Sequence, residues 1–144
     1  MPSGPAERTT IRVLLIEDDE AHAWFISRYL KQVENMRIAL SHAATLADGL
    51  RLLASQPFDA VLLDLRLPDS DIDETVSRII PHALNVPIIV LSTLEDPSLA
   101  KSALEQGAED YLWKGNLSSE LLYRAILHAI ERQLRRIRED ASRK

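Results

Sequence analysis

Hydrophobic residues along this chain fall into short unbroken runs, separated by longer stretches in which apolar residues recur every three or four positions. The runs are Val13-Leu14-Leu15-Ile16, Val61-Leu62-Leu63, Ile88-Ile89-Val90-Leu91 and Tyr111-Leu112-Trp113. They are too short for helices and lack polar alternation, so they predict strands buried on both faces, as in a parallel sheet. Strands are expected at 12–17, 58–64, 86–91 and 110–113, with a weaker one at 37–42.

The intervening stretches have helical period. Ala23, Ile26 and Leu30 form one stripe in a helix over 20–33, with Trp24 and Phe25 beside it. Thr45-Leu46-Ala47-Asp48 resembles a capping box opening a helix that carries Leu46, Leu50 and Leu53, and Pro57 follows as a stop. A third helix is expected over 73–84, on Val76, Ile79 and Ile80. Asp96-Pro97 reads as an N-cap with proline at the first helical position, and Gly107 as the C-cap. Asn116 or Ser118 caps a last helix running to about residue 140. Five strand–helix units in one short chain imply an α/β doubly wound parallel sheet.

The last helix is longer than a sheet cover needs. Leu122, Ala125 and Ala129 form one stripe; Tyr123, Leu127, Ile130, Leu134 and Ile137 form a second with the 4-3-4-3 spacing of a coiled-coil seam. Its late arginines also suit the negative end of the helix dipole. The chain thus divides into a disordered tail at 1–10, one domain at 11–132 and a helical extension at 133–144.

Composition narrows the function. The chain has 144 residues, 46% hydrophobic, enough for one core. Net charge is -5, unevenly placed: residues 131–144 hold six bases against three acids, and the remainder eleven bases against nineteen acids. An acidic body argues against nucleic acid as a partner. The lack of cysteine excludes disulfide and thiol chemistry. No run approaches the roughly 20 apolar residues that span a bilayer, and residues 1–9 are no signal peptide, so no membrane association and a cytoplasmic location are expected.

The chemistry stands where the runs end. Glu17-Asp18-Asp19 follows the first, Asp64 the central one, Ser92 the next and Lys114 the last. In an open parallel sheet those carboxyl ends share one edge, where ligands bind. Acids, a hydroxyl and a lysine, without a glycine-rich phosphate loop, point to a site for a divalent metal and a phosphoryl group. Asp19 and Glu20 read as acids favoured at a helix start. His22, His42, His82 and His128 share no ligand spacing.

With its Leu67-Pro68-Asp69 loop, this ordered set resembles the receiver domain of two-component response regulators, over roughly 12–132. The resemblance implies a flavodoxin-like five-stranded sheet in the order 2-1-3-4-5. It makes Asp64 the phosphoacceptor, served by a histidine kinase or phosphotransfer protein. Glu17, Asp18, Asp64 and the carbonyl of Arg66 would bind Mg2+. Lys114 would pair with Asp64 before transfer and with the phosphoryl group after it, while Ser92 donates to another phosphoryl oxygen. Tyr111 would turn inward with the loop after Ser92, signalling to a downstream protein target through the fourth helix, fifth strand and fifth helix. The protein is then a switch and not an enzyme, with a homodimer through the last helix as a further expectation.

Some positions depart from the family pattern. Gly115 replaces a frequent proline, Ile72 stands near a frequent glycine, and Asp73 where an apolar residue is common; the loops around them are expected to differ. Arg66 and Leu94 hold positions that tune loss of the phosphoryl group, and their bulk implies slow loss. Other readings remain at this stage: a receiver cut from a larger regulator, or a pseudo-receiver that binds partners without phosphorylation. A phosphatase fits less well, since the position two beyond Asp64 is Arg66 and not a second acid. Four glycines, none in a phosphate loop, disfavour a nucleotide- or flavin-binding relative.

Overall fold

A computed structural model describes residues 10–33 and 37–142. Five parallel strands, β1 (Thr10–Ile16), β2 (Arg37–Ala43), β3 (Ala60–Asp64), β4 (Ile88–Ser92) and β5 (Asp110–Trp113), form one sheet in the order β2-β1-β3-β4-β5. The helices between them are α1 (Glu20–Lys31), α2 (Leu46–Ser55), α3 (Thr75–Ile79), α4 (Pro97–Gln106) and α5 (Ser119–Ser142).

The period of two along each strand divides the core. Leu14, Ile16, Val61, Leu63, Ile88 and Val90 face a cluster with Leu46, Val76, Ile79 and Ala103 of α2, α3 and α4. Val13, Leu15, Leu62, Ile89 and Leu91 face the opposite cluster, with Ala23, Ile26 and Leu30 of α1 and Leu122, Ala125, Ile126 and Ala129 of α5. Both faces of β3 and β4 are covered, which is why those strands read as unbroken apolar runs.

Local signals set most helix ends. Thr45 caps α2 by accepting from the Asp48 amide at 3.1 Å, and Asp96 caps α4 by accepting from the Ser98 and Leu99 amides. Gly107 ends α4 at φ 120°, a conformation that favours glycine. Ser118 Oγ accepts from the Leu121 amide at the start of α5. Trp24 and Phe25 are more than half exposed and pack edge to face with ring centroids 5.1 Å apart.

Other expectations need correction. The third helix spans five residues, not 73–84, and passes into a 3-10 turn at Ile80–His82. Pro81 has no N–H to continue the α ladder. Asp73 lies outside α3, and among the described residues Asn85 is the one non-glycine with positive φ, so Ile72 carries no such strain. The first helix stops at Lys31, two residues short of the expected end, and α5 runs two beyond it, to Ser142. Thr10, assigned to the tail, instead pairs with Arg37 as the first residue of β1. Residues 1–9 of that tail and residues 143–144 of the extension lie outside the described residues.

Candidate functional site

The carboxyl edge of β1 and β3 gathers the acids. The Glu17 amide donates to Ala43 O at 2.9 Å, extending the β1–β2 pairing and fixing the side chain over the sheet edge. Glu17 is fully buried. Asp64 ends β3 beside Leu91 of β4, and its Oδ1 accepts from the Arg66 amide at 3.1 Å. Asp18 is exposed at the rim. One carboxylate oxygen from each of Glu17, Asp18 and Asp64 lies within 4.8 Å of the others. Three hard oxygen donors from adjacent strands fit a small divalent cation that keeps several waters.

Burial disfavours a charged carboxylate, more so beside another acid, and Glu17 shows it. Burial first, then a hydrogen bond with Asp64 and the charge of Asp64, push its pKa from 4.5 to about 7 against the opposing pull of Lys114. Lys114 Nζ lies 2.5 Å from Glu17 Oε1, 3.1 Å from His22 Nδ1 and 3.5 Å from Asp64 Oδ2. The expected Lys114–Asp64 pair is therefore present as the longest of three contacts, with Glu17 the nearest partner. Glu17 is the least solvated acid, where a counter-charge is screened least.

Ser92 closes β4 and is buried, its Oγ accepting from the Leu94 amide at 3.0 Å. Tyr111 and Trp113 stand two residues apart on β5, Tyr111 packed against the cluster under α4 and Trp113 lining a cavity with His22 and Phe25 of α1. Tyr111 OH donates to Leu94 O at 2.8 Å, and Trp113 Nε1 donates to Thr93 O at 3.2 Å. The loop after Ser92 is thus held by two aromatic donors. Tyr111 was singled out in the sequence and Trp113 was not, although its place two residues on along the same strand was the available signal. Lys114–Asn116 forms a 3-10 turn, and every described peptide is trans.

Two further roles, of Asp69 and Thr75, were not legible in the sequence. Asp69 reaches across to the start of α2 and accepts from the Leu46 and Ala47 amides, each at 2.9 Å. Burial works to raise its pKa, but these amides outweigh it, so its carboxyl sits below 3.8. Thr75 is buried with its hydroxyl 2.8 Å from Leu65 O and from Ser70 Oγ. Together they fasten the loop after Asp64. His42 is a boundary residue, its Nε2 2.7 Å from Glu17 O.

Known proteins resemble this arrangement. The chain is 39% identical over 103 residues to the KDP operon transcriptional regulatory protein KdpE of Escherichia coli, covering 71% of this chain and 44% of that protein. It is 32% identical over 123 residues to the cell cycle transcriptional regulator CtrA of Caulobacter vibrioides, covering 85% of this chain and 51% of the other. The chain thus spans about half of the length of these regulators or less. Among solved structures, the signal receiver domain of a putative Luxo repressor protein from Vibrio parahaemolyticus superposes with a TM-score of 0.75 at 25% identity. That match covers 94% of this chain and 99% of the other. A CheY-like receiver domain protein from Methanospirillum hungatei gives 0.76 at 21% identity, covering 89% and 99%. The family model of the response regulator receiver domain matches residues 13–126, from within β1 into α5, and by that match the chain belongs to the receiver domains of two-component response regulators.

Proposed function

We propose that Asp64 is the phosphoacceptor of this switch, taking its phosphoryl group from the phosphohistidine of a histidine kinase or phosphotransfer protein. The observation that carries this is its position: it ends the central strand, nearly buried, within reach of two other acids and a lysine. An Asp64 carboxylate oxygen forms a P–O bond as the P–N bond breaks, and the electron pair stays on the departing imidazole, which takes a proton from solvent. The Arg66 amide fixes the rotation of the Asp64 carboxylate. Glu17, Asp18, Asp64 and the Arg66 carbonyl would hold Mg2+, which offsets charge gathering on the phosphoryl oxygens.

Lys114 then donates to one phosphoryl oxygen and the Ser92 hydroxyl to another. Ser92 Oγ also accepts from Leu94, so drawing it towards the phosphate tugs a loop whose next two carbonyls are bonded to Trp113 and Tyr111. The phosphate adds about -1.5 to -2 charges and biases two pre-existing arrangements of that loop. The altered surface, on α4, β5 and α5, would meet a downstream protein target. Arg66 and Leu94, each two residues beyond a site residue, would slow loss of the phosphoryl group by shielding it.

Among the described residues no helix is long and apolar enough to cross a membrane, which supports a cytoplasmic switch. A second copy of the chain is the partner proposed for α5, because Leu134 and Ile137 stand exposed at the end of its outer stripe.

Intact mass after acetyl phosphate treatment, with and without Mg2+ and beside Asp64→Asn, tests the central claim. One Mg2+-dependent phosphoryl group, absent from the variant, is expected. No gain under any condition would leave a receiver fold that binds partners unmodified.

A further inference from the structure

Four residues around the site close a ring of hydrogen bonds. The Asp19 amide donates to Glu17 Oε2 at 3.2 Å. Asp19 Oδ1, capping α1, accepts from the His22 amide at 3.0 Å. Lys114 Nζ lies 3.1 Å from His22 Nδ1 and returns to Glu17 Oε1 at 2.5 Å. The cap holds the backbone of His22 in the first turn of α1, directing its ring at Lys114.

The ammonium of Lys114 has three protons and nearly no water, its side chain being 9% exposed. Its acceptors are Glu17, His22 and the more distant Asp64. Two of these three are acids proposed above to hold the metal. A divalent cation on Glu17 and Asp64 repels the ammonium and competes for the same oxygens. His22 Nδ1 is the acceptor that carries no negative charge and is not among the metal's oxygen donors. Its other acidic neighbours, Glu17 Oε1 and Asp19 Oδ2, are each 3.9 Å away, beyond hydrogen-bond distance.

We propose that His22 is a positioning residue that holds Lys114 when Mg2+ takes Glu17. It lets the ammonium stay in the site, partnered, beside the metal and ready for a phosphoryl oxygen. This rests on the metal site proposed above. The bond requires His22 as the Nε2–H tautomer, with Nδ1 free to accept. Without His22 the metal-bound state would leave a buried ammonium short of an acceptor, whereas the metal-free state would still offer it Glu17. The loss therefore falls on metal affinity and not on the fold.

The test is Mg2+ affinity, measured by calorimetry on the full chain, for unsubstituted protein, His22→Leu and His22→Asn, each also in a Lys114→Met background. The asparagine amide oxygen can take the place of Nδ1; leucine offers no acceptor. His22→Leu should weaken Mg2+ binding by about 5-fold, as expected for losing a partly exposed hydrogen bond to a charged group. His22→Asn should stay within about 2-fold, and in the Lys114→Met background His22→Leu should have no effect. An unchanged affinity in His22→Leu, or the same loss with Lys114→Met, would overturn the proposal. Nitrogen NMR of the metal-free protein gives a second readout: His22 as the Nδ1–H tautomer would overturn it too. If the unsubstituted protein binds no Mg2+, the metal site itself fails and the proposal with it, an outcome distinct from binding that ignores His22.

Discussion

A β-carbon on Gly115 would lie 2.5 Å from the indole ring of Trp113. The glycine after Lys114 is therefore matched to the tryptophan before it, and the ring it seats donates to Thr93 O. Gly115→Ala should displace the indole, break that bond and destabilise the fold by about 1–3 kcal/mol, the usual cost of overpacking. In a Trp24→Phe background Trp113 is the remaining tryptophan, so its emission should shift when alanine is introduced. Adding Trp113→Ala should restore stability; a variant as stable and as fluorescent as the parent would refute the match.

Glu17 sets a pH dependence. Its carboxyl titrates near 7 in the folded protein against 4.5 ordinarily. Between those values the native state keeps a proton that the unfolded chain has released. Its contribution to stability is therefore fullest below about 4.5 and is lost as pH rises through 7, a difference on the order of 3 kcal/mol. Urea unfolding in EDTA from pH 5 to 8 should show the protein losing stability relative to Glu17→Gln as pH rises. Parallel curves would contradict the shift.

Asp69 caps a helix to which it does not belong. Asp69→Ala frees the Leu46 and Ala47 amides at the start of α2 and should cost about 1 kcal/mol. Asp69→Asn, which keeps one acceptor, should cost less. Equal midpoints for all three proteins in denaturant would show that water replaces the cap without loss.

The outer stripe of α5 makes a prediction about size. If Leu134 and Ile137 join two copies, replacing both with glutamate should halve the mass seen by light scattering. The same change should leave unfolding nearly unaffected, since both side chains are exposed. Unchanged mass in the variant removes the dimer.

Glu109 ties the far half of α5 to the start of β5 through Arg132 and Arg136. Burial would raise its pKa, but hydrogen bonds from Arg136 and Arg132 prevail and hold the carboxylate below 4.5. Glu109 accepts from Arg132 Nε at 2.7 Å and Arg136 Nη2 at 2.5 Å. Glu109→Gln should speed amide exchange in the last three turns of α5 while β1, β3 and β4 keep their protection. Uniform exchange rates would assign the helix's order to its own propensity.

The inner strands β1, β3 and β4 and the site edge were legible because burial on two faces leaves unbroken apolar runs, and such runs end where the sheet ends; the edge strand β2, half exposed, gave a weaker signal. The caps at Thr45, Asp96 and Gly107 were legible because each acts within four residues of itself. What escaped depends on partners distant in sequence. His22 reads as any histidine on a helix until β5 brings Lys114, ninety-two residues away, against it. Asp69 looks like a loop residue until α2 is in place. Lys114 was placed correctly at the edge, yet its preference for Glu17 over Asp64 depends on how deeply each acid is buried, which strand patterns do not encode. The third helix failed for a local reason, since Pro81 outweighed the apolar period around it.

The two loops flanking Asp64 are held unequally. On one side, the segment after β3 is anchored by a carboxylate to two amides, by the Arg78 guanidinium to Asp69 O at 2.7 Å, and by the buried Thr75 hydroxyl. On the other, the segment after β4 is tied to the sheet by neutral bonds alone, from the Tyr111 phenol and the Trp113 indole and from the Leu94 amide to Ser92 Oγ, while its one capping carboxylate, Asp96, bonds only forward to the start of α4. Charged tethers are roughly twice as strong as neutral ones. A disturbance at Asp64 therefore has a built-in direction: one bank of the cleft stands firm as an abutment, and the motion spills across the other, towards α4.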